Sequence, residues 1–247
     1  MDPRAYALDG FALVRDVFRA DEPPRTERDA LRAARAAPSL RHGLVARSPE
    51  LWPVLVHRAL LREVAQAVGA SRRCLAGIDR VSVDHAEPEP HRDAAPGDLP
   101  CLSGPAARKV YDVVRVLTYP SPGPSPFGVL PGSHLLPGSG EDAIAGMPGR
   151  WRRLALGPRD AVLFDPRLVH AEGRGGRQAG RRVAVELTYG GGGTSTIETY
   201  FHARIRTPNL GFPDPSPDLV RLLRRRHLLL EESVDAECWR RYEAVWA

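Results

Sequence analysis

The chain has 247 residues, 43% hydrophobic and 26% charged, which suits one packed domain, and its 24 prolines and 23 glycines point to many turns and a largely β architecture. Its net charge is +5, but a single lysine, Lys109, stands among 35 basic residues, so arginine-rich composition overstates any functional basic surface: the charge is compatible with nucleic acid or an anionic substrate and requires neither. Three cysteines, an odd number without C-x-x-C spacing, support neither a thiolate zinc site nor a disulfide framework, and a charged start with no apolar run near ~20 residues leads us to expect a soluble, cytoplasmic protein without a membrane span.

Residues 9 to 18 alternate apolar and polar, and Asp21-Glu22-Pro23-Pro24 opens a helix through about Ala37. After a loop, Ser48-Pro49-Glu50 begins a second helix, closed by Gly69, in which Leu51, Val54, Leu55, Leu61, Val64 and Val68 recur at helical spacing. His57 on it reads as solvated or capping, because no other metal-type residue lies three or four positions away.

Residues 78 to 83 read as a strand that leads into a proline-rich loop, Asp84 to Asp98. Within it stands the tripeptide His91-Arg92-Asp93. If this stretch is extended, the period-two rule points His91 and Asp93 to one face, about 6.5 to 7 Å apart at the backbone and able to converge on one ion. Asp84, His85, Glu87 and Glu89 read as the lip of that site. Val110 to Tyr119 is the clearest strand; Arg115 within it faces either solvent or a polar interior, as a second anion contact, because an unpaired buried charge is costly.

A proline-rich turn, 120 to 126, precedes Phe127-Gly128-Val129-Leu130-Pro131-Gly132-Ser133-His134, where His134 reads as structural. Glycine-rich residues 135 to 151 are the place for a lid beside a site. Short strands follow at Trp151 to Leu156 and Ala161 to Phe164, and the second opens through Asp165-Pro166-Arg167-Leu168-Val169 into His170. His170 supplies a third candidate ligand: two imidazoles and one carboxylate, with the opposite face of the metal open, suit a non-haem Fe(II) oxygenase. Eleven residues further on, Arg181 begins the strand Arg181 to Tyr189, placed to grip a carboxylate with two parallel hydrogen bonds. The run Gly190 to Gly193 lacks the lysine of a P-loop and reads as a turn before a last strand, Thr194 to Arg204, carrying a structural His202. Ser216-Pro217-Asp218 caps a helix that presents Arg224-Arg225-Arg226 on a solvated face, and a final helix spans Ser233 to Trp246.

The opening stretch Leu8 to Phe18, the H-x-D tripeptide, the strand ending in P-G-S-H, and His170 followed by Arg181 together make the chain resemble the phytanoyl-CoA dioxygenase family of Fe(II)/2-oxoglutarate oxygenases. The resemblance covers most of the length, up to Tyr189. It departs in the flanks, where Gly173-Arg174-Gly175-Gly176-Arg177-Gln178 replaces the polar residues common in the family. The resemblance implies a double-stranded β-helix (jelly roll, cupin-like), mainly β with helical N-terminal and C-terminal elaborations, as one domain over residues 1–247. It implies His91, Asp93 and His170 as iron ligands and Arg181 as the catalytic-site partner of the 2-oxoglutarate carboxylate, with Arg182 the one-residue alternative. Fe(II), 2-oxoglutarate and dioxygen are then the cofactor and co-substrates. Related iron halogenases replace the carboxylate ligand by a small residue, so Asp93 favours oxygenation, desaturation or cyclisation, with hydroxylation the default. The expected substrate is a small molecule of secondary metabolism or a modified amino acid, not a polynucleotide. The rivals are a nucleic-acid demethylase of the same superfamily and a β-barrel binding module without turnover. Oligomeric state is not legible.

Overall fold

The structure is a computed structural model that describes residues 1–37, 42–69, 73–84, 89–94, 111–122, 127–136, 144, 146–147, 149–172, 182–206 and 216–230. Among them, antiparallel strands form two sheets. The larger has the order β1 (Phe11–Val14), β6 (Ala161–Phe164), β3 (Val113–Thr118), β8 (Val183–Gly190), β2 (Cys74–Val83), and the smaller has β5 (Arg152–Arg153), β4 (Phe127–Val129), β7 (His170–Glu172). A bridge between His91 and His170 widens the smaller sheet beyond β7. The two sheets face each other as a jelly roll with helices outside.

Side-chain alternation separates two cores. Val114 and Val116 of β3, with Val183, Val185, Leu187 and Tyr189 of β8, pack on the helices α2 (Glu22–Ala36), α5 (Arg58–Ala67) and α7 (Pro217–Arg225) through Ala30, Ala33, Leu60, Leu61, Val64, Leu219 and Leu223. The opposite parity, Leu117, Ala184, Val162 and Phe164, meets Phe127 and Val129 of the smaller sheet in a second cluster. The central strands β6 and β8 are thus buried on both faces, yet the inner face of the sheet also carries charge.

Local chemistry sets the helix ends. The Asp2 side chain accepts from Arg4 N at 2.9 Å to start α1 (Pro3–Asp9), and Gly10, at φ 80°, ends it by donating to Tyr6 O. The helix expected over 48–69 is broken. A short helix α3 (Leu44–Arg47), a 3₁₀ turn (Pro49–Leu51) and α4 (Trp52–Leu55) precede an extended His57 (ψ 116°), whose Nδ1 accepts from Leu60 N to cap α5. The capping role expected for His57 is thereby met, and it is what interrupts the helix. The strand expected over 194–204 is instead the helix α6 (Thr194–Arg206), and His202 lies on it. Its β-branched residues suggest a strand, but the Asp112 carboxylate accepts from Gly193 N at 2.6 Å, Thr196 N at 3.2 Å and Thr196 Oγ1 at 2.8 Å, capping the helix from 84 residues upstream in the sequence. Ser216 Oγ caps α7 by accepting from Leu219 N at 3.2 Å, and Arg224 to Arg226 are exposed, as expected. The expected final helix, the lip residues 85 to 88 and most of the expected lid lie outside the described residues. Among the described residues no helix is long and apolar enough to cross a membrane.

Candidate metal centre

The H-x-D loop is fastened to the segment before β7 by backbone hydrogen bonds. His91 and His170 exchange both N–H···O bonds at 3.0 Å, and Pro166 O accepts from Asp93 N at 2.9 Å and from Ala94 N at 3.0 Å. Two segments 79 residues apart in sequence are thereby held side by side, and the side chains of His91, Asp93 and His170 converge, with ligand-type atoms within 4.8 Å of one another. His170 Nε2 is 3.6 Å from Asp93 Oδ2, and the imidazole centroids are 4.4 Å apart.

Each imidazole has its Nδ1 2.9 Å from a backbone carbonyl, that of Glu89 for His91 and that of Leu168 for His170. An Nδ1–H donated to a carbonyl leaves the Nε2 lone pair free, the tautomer a divalent ion needs. His170 is buried beside Phe127 and Phe164, with ring centroids 5.5 and 4.8 Å away. Burial disfavours the imidazolium and takes its pKa down to about 4, against the upward pull of Asp93, so this ring is a neutral donor at ordinary pH.

The P-G-S-H turn holds both ligand-bearing segments. Arg92, between the two ligands of the loop, points the other way and donates from Nη2 to Ser133 O at 2.7 Å and Leu136 O at 3.1 Å. Ser133 Oγ accepts from Val169 N at 2.8 Å, next to His170. His134 Nε2 donates to Ala7 O at 3.2 Å, the structural role expected of it, and its ring lies so close to Gly10 that a Cβ there would meet Nδ1 at 2.4 Å. Arg92 and Ser133 carry no signal of this role in the sequence, since the motif's central residue is variable by construction and the bonds span 41 and 36 residues.

Arg115 is inside the jelly roll, not facing solvent. Its strand neighbours Val114 and Val116 pack on the helices, which sends Arg115 to the other face. There its Nε lies 3.2 Å from Asp93 Oδ2 and its Nη1 3.0 Å from Glu186 Oε2, while Arg80 Nε reaches Glu186 Oε1 at 3.4 Å. Burial outweighs both guanidiniums at Glu186 and raises its pKa to about 7. A chain of alternating charges, Arg80, Glu186, Arg115 and Asp93, therefore runs from β2 to the candidate ligands.

Arg181 lies outside the described residues. Arg182, the alternative, shares the parity of Ala184 and Glu186 and points inward. Its guanidinium carbon lies 4.1 Å from the Tyr119 ring centroid, and Nη2 is 3.9 Å from Glu172 Oε1, beyond hydrogen-bonding reach. Among the described residues, its buried Nε and Nη2 have no hydrogen-bond partner. Two unused N–H groups of one guanidinium are what a carboxylate takes up in parallel. Tyr119 and Glu172, unremarked in the sequence, complete this end of the interior, with Tyr119 OH donating to Glu172 Oε1 at 2.9 Å.

The jelly roll thus encloses a triad of metal-type donors and a buried arginine. No family model and no curated protein matches the chain. Solved structures do. The non-heme alpha-ketoglutarate-dependent epimerase SnoN from nogalamycin biosynthesis is 18% identical, with TM-score 0.63 over 76% of this chain and 81% of that one. AviO1 from Streptomyces viridochromogenes Tue57 is 21% identical, with TM-score 0.59 over 76% and 92%. HygX from Streptomyces hygroscopicus, solved with nickel and 2-oxoglutarate bound, is 21% identical, with TM-score 0.56 over 75% and 83%. At these identities the likeness is one of fold.

Proposed function

We propose that the chain is a single-domain, cytoplasmic, Fe(II)- and 2-oxoglutarate-dependent enzyme, similar to the phytanoyl-CoA dioxygenases, that oxidises a small molecule of secondary metabolism. The observation that carries this is the convergence of His91, Asp93 and His170, with both Nδ1 atoms committed to carbonyls, in the same interior as a buried arginine with two unused N–H groups. The donor set fits iron: two neutral imidazoles and one carboxylate balance charge and leave positions for a co-substrate and dioxygen.

In this reading His91, Asp93 and His170 hold the ion, and Arg182 receives the distal carboxylate of 2-oxoglutarate, with Arg181 the alternative. Iron so held supplies, with 2-oxoglutarate and dioxygen, an oxidant strong enough to take hydrogen from carbon. The protein's part is placement. Arg115 pairs with Asp93 and steadies its carboxylate, and Phe127 and Phe164 shield His170 from water. Hydroxylation is the default outcome because Asp93 keeps the coordination position that halogenases open to chloride. SnoN is an epimerase, so a related scaffold directs the same cofactors to a different end; where the substrate's hydrogen sits relative to the ion decides which.

The test is anaerobic addition of Fe(II) and 2-oxoglutarate to the purified protein. A weak visible charge-transfer band is expected, followed by succinate release coupled to turnover when candidate substrates are supplied in air. Metal binding without the band would reject 2-oxoglutarate as the co-substrate and favour a binding module.

A further inference from the structure

We infer that Glu172 is a built-in competitor for the arginine that receives the co-substrate, and so sets how tightly 2-oxoglutarate is held; this rests on the reading of Arg182 given above. Glu172 follows His170 by two residues on β7, so both side chains leave the same face of the strand. It is buried, and Tyr119 OH fixes its Oε1 at 2.9 Å. That fixed oxygen lies 3.9 Å from Arg182 Nη2, close enough to neutralise the guanidinium and too far to use its N–H groups. Among the described residues, Arg182 Nε and Nη2 and Glu172 Oε2 have no hydrogen-bond partner. The Tyr119 ring, 4.1 Å from the guanidinium carbon, covers one face of Arg182 and keeps it in place.

Arg182 and Glu172 are thus matched in charge as a pair and unsaturated in hydrogen bonds. An incoming carboxylate gains a two-pronged contact with Arg182, but it does so beside a carboxylate already there, and two like charges at this separation in a buried site repel strongly. Glu172 weakens the co-substrate complex by the size of that repulsion and stabilises the co-substrate-free protein through its attraction to Arg182. Tyr119 sets the distance at which the trade takes place.

The experiment uses the full chain saturated with Ni(II), which supports binding without turnover. The dissociation constant of 2-oxoglutarate is measured by calorimetry, and thermal unfolding is followed with and without it. Glu172→Gln keeps an acceptor for Tyr119 OH and removes the charge. It should bind 2-oxoglutarate at least about tenfold more tightly, which is ~1.4 kcal/mol. It should also unfold at a lower temperature when empty and gain more on binding, a pair of opposite changes that a merely structural residue would not produce. Tyr119→Phe keeps the ring over Arg182 and frees Glu172 to close on the guanidinium, so it should bind 2-oxoglutarate less tightly than the unaltered protein. Equal or weaker binding by Glu172→Gln, with 2-oxoglutarate still bound by the unaltered protein, overturns the role of Glu172 alone. No binding by any of the three at saturating Ni(II) overturns the co-substrate reading itself.

Discussion

Replacing Arg115 by methionine keeps the length and apolar stem of the side chain and removes the cation between two buried carboxylates. Glu186 and Asp93 lie 3.0 and 3.2 Å from it and are about nine-tenths buried. Stripping one partner from a buried ion pair costs about 3 to 5 kcal/mol, because the remaining charge is left uncompensated. Here the loss must depend on pH. Glu186 already titrates at about 7 in the folded protein against an ordinary value of 4.5, so the unfolded chain gives up this proton first as pH rises. Stability from this group is therefore greatest below pH 4.5 and falls as pH rises toward 7, by about 3 kcal/mol in all at 1.36 kcal/mol per unit. Without Arg115 the folded-state value moves higher still, and the decline continues above 7. Glu186 can escape the loss of its cation by holding its proton at pH 6 and cannot do so as well at pH 8.5. Urea unfolding of the metal-free proteins should accordingly show a penalty for Arg115→Met of about 3 kcal/mol or more at pH 8.5 and a smaller one at pH 6. An equal penalty at both values, or a larger one at pH 6, would refute the coupling of Arg115 to Glu186.

Substituting His91, Asp93 or His170 singly by alanine should abolish tight Ni(II) binding, read by calorimetry, while the far-ultraviolet dichroism stays that of the folded chain; an unchanged affinity removes that residue from the ligand set. Arg182→Met should weaken 2-oxoglutarate binding to the Ni(II) form by about 2 to 5 kcal/mol as an upper range, and Arg182→Lys should recover only part of it. A loss with Arg181→Ala and none with Arg182→Met would move the carboxylate contact to Arg181. Ser133→Ala leaves the buried Val169 N–H without its acceptor, which should cost about 1 to 3 kcal/mol in urea unfolding and loosen Ni(II) binding through His170; an unaltered Ni(II) affinity would separate the turn from the centre.

What was legible in the sequence were features whose meaning is local. The H-x-D spacing needs only an extended backbone to send two ligands one way, and Gly132, at φ 75°, and Ser216, at its helix start, carry their conformations in their own chemistry. Residues whose role depends on what the fold brings beside them were not legible. The Thr194 helix is capped by Asp112, and no window on the helix itself contains that signal. Arg92 and Ser133 become organisers of the centre only once the P-G-S-H turn lies against both ligand segments. Glu172 looks like any charge at a strand end until Tyr119, 53 residues away, closes over it.

Arg115 and Arg182 illustrate the same division through register. Alternation says that every second residue of a strand shares a face, but not which face is the interior. In β8 the choice is made by Val183, Val185, Leu187 and Tyr189, all buried against the helices. A one-residue slip would turn these four inward and set Arg182 and Glu186 against the apolar helices, where each charge stranded without its partner would cost about 3 to 5 kcal/mol, a large part of the whole stability of a domain. The ladder with β2, Val183 opposite Val83 and Glu186 opposite Arg80, holds that register, and Asp84 N donating to Arg182 O at 2.8 Å carries it one residue beyond the strand. The apolar residues on the outside of the sheet are therefore what aims Arg182 and Glu186 inward. The position of the buried guanidinium beside Tyr119 and Glu172 follows from hydrophobic packing on the opposite face, so a substitution such as Val183→Ala, on the helix-facing side of the strand, should change stability first and 2-oxoglutarate affinity only so far as the register loosens.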